Sequence, residues 1–131
     1  MRALPTIFVV FVMTACAGPA IVQCGGGCPG PGVVLGGLPA RLGHARLTTC
    51  VADQPCQTDR HADHLGPRSL QYLPLPSDAR WVDYDGRTVT VTLHTDRGRW
   101  QGTGTLHYRA ADGSPCDCGG LSAEVPLRRR G

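Results

Sequence analysis

Residues 87–95 read RTVTVTLHT, and this stretch decides the fold class. Its apolar side chains, Val89, Val91 and Leu93, alternate with threonines and a histidine. Successive side chains of a β-strand point to opposite faces of a sheet, so this alternation predicts a strand with one buried face and one wet face. Threonine and valine also suit a pleated, half-buried surface.

The neighbouring segments repeat this alternation. Residues 45–51 alternate in the same way, and so do residues 99–109, RWQGTGTLHYR. The residues 95–98, TDRG, predict a hairpin connection that ends in a glycine. The predicted inward side chains of the strand after it are Trp100, Gly102, Gly104, Leu106 and Tyr108.

Three weaker patterns complete the set of predicted strands. They cover residues 69–73, 79–84 and 122–127, and Pro126 implies that the last of them lies at a sheet edge. No segment has a helical period, so we predict an all-β fold: a small antiparallel β-sandwich or a partly open barrel, braced by disulfides. The pattern of Trp81, turn, strand, turn and Trp100 resembles immunoglobulin-like and transthyretin-like domains.

The chain divides into four predicted segments. Residues 1–15 form a signal peptide, residues 16–42 a tether, residues 43–127 the β-domain and residues 128–131 a basic tail. Glycine and proline are dense through CGGGCPGPGVVLGGLP, which favours a flexible spacer over a strand. Three consecutive arginines predict a solvated tail.

The N-terminus carries an export signal. Arg2 precedes an apolar run that reads IFVVFVMTAC at residues 7–16, which is too short to span a membrane. Met13-Thr14-Ala15-Cys16 resembles the lipobox of bacterial lipoproteins, although Met13 stands where that family usually has Leu, Val or Ile. The resemblance implies cleavage before Cys16 and attachment of a lipid to its thiol. The alternative is cleavage after Ala17, which releases a soluble protein.

The seven cysteines fit export. Lipidation or removal of Cys16 leaves six, and an even set in a small exported domain predicts a disulfide framework. The six are Cys24, Cys28, Cys50, Cys56, Cys116 and Cys118. Spacing favours a Cys50–Cys56 bridge, with the first two cysteines joined to the last two, since a bridge between Cys116 and Cys118 would be strained.

The amino-acid composition indicates which classes of partner the protein is expected to bind. All 13 basic residues are arginine, and neither lysine nor asparagine occurs, which is typical of a GC-rich genome such as that of an actinobacterium. A net charge of +3 predicts no nucleic-acid surface.

Histidines supply the alternative chemistry. His61 and His64 lie in the segment DRHADH with two carboxylates, a composition that could form a copper or zinc site. His94 and His107 lie on strands predicted to pair, so they are expected close together. Histidines are common in exposed loops and on sheet surfaces without a metal, however, and we predict no metal site. The alternative is a copper- or zinc-binding protein with His61 and His64 as ligands.

The sequence contains no catalytic motif. None of its serines lies in a nucleophile elbow, and its carboxylates fall mainly in turns. We therefore expect no enzyme and no cofactor. We expect the chain to be a lipoprotein on the extracytoplasmic face of the cell membrane. Its β-domain is expected to be a binding or structural module for an envelope protein or ligand.

Overall fold

The computed structural model describes residues 28–131. The predicted signal peptide, Cys16 and Cys24 lie outside these residues. The strands are β1 Gly32–Gly36, β2 Ala45–Val51, β3 Gln57–Asp59, β4 Ser69–Tyr72, β5 Thr88–Thr95, β6 Gly98–Thr105, β7 His107–Arg109, β8 Gly120–Pro126 and β9 Arg128–Arg130. Two short 3₁₀-helices, Ala62–His64 and Trp81–Tyr84, are the helical elements of the described part.

The strands form two sheets. One has the order β4-β1-β8-β7 and the other the order β3-β2-β5-β6-β9. Their inner faces share a single hydrophobic core, so the disulfide-braced all-β sandwich is confirmed. The fully buried large side chains of this core are Val33, Leu35, Val89, Val91, Leu93, Leu106, Leu121 and Val125.

The prediction that every strand pairs antiparallel is wrong for one pair. β1 and β8 run parallel at the centre of the four-stranded sheet. A hairpin would force neighbouring strands to be antiparallel, but here most of the domain lies between the two strands and supplies the crossover.

The predicted tether contains a strand. Val33 and Leu35 of β1 are fully buried, although they lie within residues 16–42. Gly32 and Gly36 flank the apolar triplet and do not interrupt it. The high glycine content therefore hides the strand pattern of β1, which lies between β4 and β8.

The predicted basic tail is also a strand. β9 pairs with β6, and Arg129 donates a hydrogen bond to the carbonyl oxygen of Arg97 at 2.7 Å. The guanidinium of Arg129 lies 5.6 Å from the centroid of the Trp100 ring, a cation–π contact. Backbone pairing and this contact hold a segment whose like charges alone favour solvent.

Residues 81–84 and strand β8 also differ from the sequence prediction. Residues 81–84 form a 3₁₀-helix, where a strand was predicted, and Trp81 and Tyr84 both pack on the core from positions three apart. β8 is an interior strand, although Pro126 implied an edge. β7 pairs only with Gly120 to Ser122, so the proline end of β8 is flanked by β1 alone, and the missing amide is tolerated there.

The two sheets approach each other closely where β6 crosses β8. A Cβ atom at Gly102 would overlap the carbonyl oxygen of Pro126, and one at Gly104 would overlap that of Glu124. Only glycine allows this approach of two backbones. The glycines of the GTG segment are therefore required by packing between the sheets.

We predict that Gly102→Ala lowers the free energy of unfolding by about 1–3 kcal/mol, because the added methyl group forces β6 away from β8. Chemical denaturation of the oxidised chain measures the loss. Gly120→Ala is the matched control, because its Cβ meets no atom within 4 Å. Equal stability of the two variants would contradict the proposed close contact.

Candidate ligand-binding face

The histidine-rich loop follows β3. The backbone amide of His61 donates to Asp59 Oδ1 at 2.8 Å, and His64 Nδ1 lies 2.8 Å from the carbonyl oxygen of His61. Since a carbonyl oxygen can only accept, His64 Nδ1 carries the proton and donates. Within residues 28–131, no group of three or more metal-ligating side chains forms. The loop thus gives His61 and His64 no third described ligand.

The other predicted histidine pair is separated. His94 lies opposite Arg99 in the five-stranded sheet, whereas His107 lies opposite Ser122 in the four-stranded sheet. The expectation that they lie close together is wrong, because the chain passes from one sheet to the other at the buried Leu106.

The cysteines are oxidised throughout the described part. Cys50 is bridged to Cys56 and Cys28 to Cys118, as the spacing favoured. Cys116 is also disulfide-bonded. The loop between β7 and β8 is therefore tied covalently to the start of the described chain, and its sulfurs are not thiolate ligands.

Asp117 organises the same loop. Its carboxylate accepts two hydrogen bonds of 2.9 Å from the Arg109 guanidinium, and further bonds from the backbone amides of Asp112 and Gly119. The Arg109 hydrogen bonds, followed by the two backbone amides, hold the pKa of Asp117 far below its ordinary range. The same pair raises the pKa of Arg109. These bonds are structural: they fix the turn between two cysteines.

The outer face of the five-stranded sheet carries a line of basic side chains. Strand register places Arg46 opposite His94, His94 opposite Arg99 and Arg99 opposite Arg130. All four residues are exposed. We call them the basic row; at about 4.8 Å between strands, the row is about 14 Å long.

A second line of polar side chains runs beside the first, about 7 Å along the strands. This polar row consists of Thr58, Thr48, Thr92, Gln101 and Arg128, which lie opposite one another in that order. The hydroxyls of Thr48 and Thr58 are 3.1 Å apart. Together the basic row and the polar row make up what we call the binding face.

Within residues 28–131, no ion pair neutralises the basic row. The strands β2, β5, β6 and β9 contain no Asp or Glu. In the described residues the ion pairs are Arg68–Glu124 and Arg109–Asp117, and both involve the four-stranded sheet. One side of the sandwich thus has paired charges, and the other has unpaired positive charges.

Each end of the binding face has an open depression of about 390 Å³. One is lined by residues that include Arg46, Arg60, His94 and Asp96. The other is lined by residues that include Gln101, Arg128 and Arg130. The surface is therefore a shallow, ridged platform that suits an extended ligand better than a small enclosed one.

The binding face could not be predicted from the sequence because its members come from five strands, β2, β3, β5, β6 and β9. Only the cluster at residues 128–130 is visible in the linear sequence. The sequence does contain a signal, since Arg46, His94 and Arg99 each occupy a polar position of an alternating strand pattern. Strand order and register are needed to align the three residues.

No family model, no curated protein and no solved structure matches this chain. The immunoglobulin-like and transthyretin-like shapes therefore stay predictions.

We predict that Asp117→Asn reduces the pH dependence of stability in acid. A carboxylate with a lowered folded pKa adds stability above its unfolded pKa and loses it as pH falls toward the folded value. Between about pH 2 and pH 5, the free energy of unfolding should thus rise with pH less steeply in the variant than in the wild type.

Urea denaturation at a series of pH values measures this slope. Asp78→Asn is the control, because Asp78 is exposed and its carboxylate makes no hydrogen bond or ion pair within the described range. Identical slopes for wild type and Asp117→Asn would contradict the assigned role of Asp117.

Proposed function

We propose that the protein is a lipoprotein on the extracytoplasmic face of a bacterial cell membrane, anchored through Cys16, and that its β-domain is a non-catalytic binding module of the cell envelope. The observation that carries the proposal is the oxidation state of the cysteines. All five cysteines in residues 28–131 are disulfide-bonded. Such pairing is expected in an oxidising compartment and is rare in the cytosol.

The N-terminal pattern agrees with this location. Met13-Thr14-Ala15-Cys16 resembles a lipobox, and use of Cys16 for lipidation leaves an even number of cysteines for disulfides. In the described part of the chain, no helix is long and apolar enough to cross a membrane. A lipid on Cys16 would supply the attachment.

The spacer in this proposal is shorter than the sequence predicted. Cys28 is bridged to Cys118 and β1 begins at Gly32, so only residues 17–27 are left to separate the anchor from the domain. Twelve steps of chain from Cys16 to Cys28 reach at most about 40 Å when fully extended. The domain would therefore stay close to the membrane, among the polymers of the envelope.

The binding role is supported by the contrast between the two outer faces. The five-stranded sheet presents unpaired basic side chains beside hydroxyl side chains on rigid strands, which is an arrangement that favours ligand contacts. Within residues 28–131, no group of three or more metal-ligating side chains accompanies it. A binding module is thus the simplest use of this surface.

Palmitate labelling tests the anchor. We expect the full chain, expressed in a bacterial host with an alkyne-palmitate label, to incorporate the label in the membrane fraction and to accumulate as a precursor with globomycin. Cys16→Ala should abolish labelling, since no thiol is left to alkylate.

Met13→Leu is the matched variant, because it brings the tetrapeptide closer to the usual lipobox and should be labelled at least as well as the wild type. An unlabelled wild-type chain found in the medium with Gly18 as its first residue would overturn the anchor and favour the soluble, secreted alternative.

A further inference from the structure

The basic row does not stabilise the fold. Arg99 and Arg130 lie directly opposite each other on paired strands, and like charges in this position are destabilising. Within residues 28–131, the side chains of Arg46, Arg99 and Arg130 make no ion pair or hydrogen bond. Arg129 differs, because its side chain contacts Trp100 and Arg97. The unpaired guanidiniums therefore need another explanation.

The spacing of the basic row indicates how charges are arranged along its ligand. Guanidinium groups bind carboxylates and phosphates through two parallel hydrogen bonds. Here they stand on separate strands along a line and do not converge on one point. A compact polyvalent anion would contact only one or two of them, whereas an extended chain with a single charge on successive units can contact all of them.

The polar row adds a second requirement. Thr92 and Gln101 are adjacent, half-buried, and offer hydroxyl and amide groups beside the charges. A polymer with both acidic groups and hydroxyls would use both rows. We infer, building on the proposed binding function, that the binding face binds an acidic polysaccharide across β2, β5, β6 and β9.

An anionic membrane fits the binding face less well. Surface helices and loops that bind bilayers combine basic residues with apolar side chains that enter the headgroup region. The basic and polar rows contain no apolar side chain, and the exposed Leu70 and Tyr72 lie on β4 of the other sheet. Hydroxyl and amide groups in the polar row would contribute little to a purely electrostatic contact with lipid.

Polygalacturonate oligomers are the probe, and the same oligomers with all carboxylates methyl-esterified are the ligand control. The protein is the full chain, exported and oxidised, with binding measured by isothermal titration calorimetry at low salt. We expect binding of polygalacturonate that weakens as salt increases, and no measurable binding of the neutral ester.

The first variant is Arg46→Gln/Arg99→Gln/Arg130→Gln. We expect it to bind polygalacturonate more than about tenfold more weakly, because charged contacts across an interface are lost. Its thermal midpoint should equal or exceed that of the wild type, because like charges have been removed. Arg41→Gln/Arg68→Gln/Arg80→Gln is the matched control: it removes the same charge from exposed positions outside the binding face and should bind like the wild type.

The second variant, Thr92→Val/Gln101→Leu, keeps the charge and removes hydrogen-bonding groups. It should bind polygalacturonate several-fold more weakly than the wild type while its binding to phosphatidylglycerol vesicles is unchanged. Tight vesicle binding with no polygalacturonate binding would show that the ligand of the binding face is an anionic membrane and not a polysaccharide.

Equal loss of affinity in the two arginine triple variants, or equal binding of the neutral ester, would also overturn the inference. Palmitate labelling of Cys16 is independent of these measurements. A labelled chain that does not bind polygalacturonate would refute the polysaccharide and leave the lipoprotein proposal in place.

Discussion

The contact on which the rest of the structure depends is the approach of the β6 backbone to the β8 backbone. Gly102 and Gly104 face the carbonyl oxygens of Pro126 and Glu124, at a separation that leaves no room for a Cβ atom. Because side chains alternate along a strand, fixing these glycines inward also fixes Arg99, Gln101 and Thr103 outward. One packing constraint thus sets the distance between the sheets and the composition of the exposed face.

The end of the chain joins the two sheets. β8 lies in the four-stranded sheet and β9 in the five-stranded sheet, and the buried Leu127 connects them. The Leu127 amide donates to the carbonyl oxygen of Gly36 at 2.8 Å. Just before β8, the Cys28–Cys118 bridge and the Asp117 turn hold the preceding loop. A small domain with few aromatic residues gains from such covalent bracing, which limits the freedom of the unfolded chain.

The strands that the sequence predicts best are those with one wet face. β2, β5 and β6 show clear alternation because their outer sides are polar, and the Cys50–Cys56 pairing follows from its short loop. β1 was missed because only its Val-Val-Leu triplet is apolar within a Gly/Pro-rich segment. Residues 81–84 form a 3₁₀-helix because Trp81 and Tyr84 both pack on the core, and residues three apart share one side of a 3₁₀ turn but lie on opposite faces of a strand.

The binding face lies beyond sequence reasoning for a different physical reason. Charge in the linear sequence is weak and scattered, with a net value of only +3. Register collects Arg46, His94, Arg99 and Arg130 into one row, and the partition of carboxylates to other parts of the fold leaves that row unpaired. A small net charge therefore coexists with a concentrated local one, which is what an anionic ligand would meet.

A nuclear magnetic resonance titration of the oxidised chain with polygalacturonate tests the central claim most directly, namely that the outward side of β6 and its neighbours is the binding face. We predict that the backbone amide signals of Arg46, His94, Arg99 and Arg130 shift together and saturate, while those of His107, Ser122 and Glu124 on the other sheet stay unchanged. Shifts confined to the four-stranded sheet, or the absence of shifts at saturating oligomer, would contradict it.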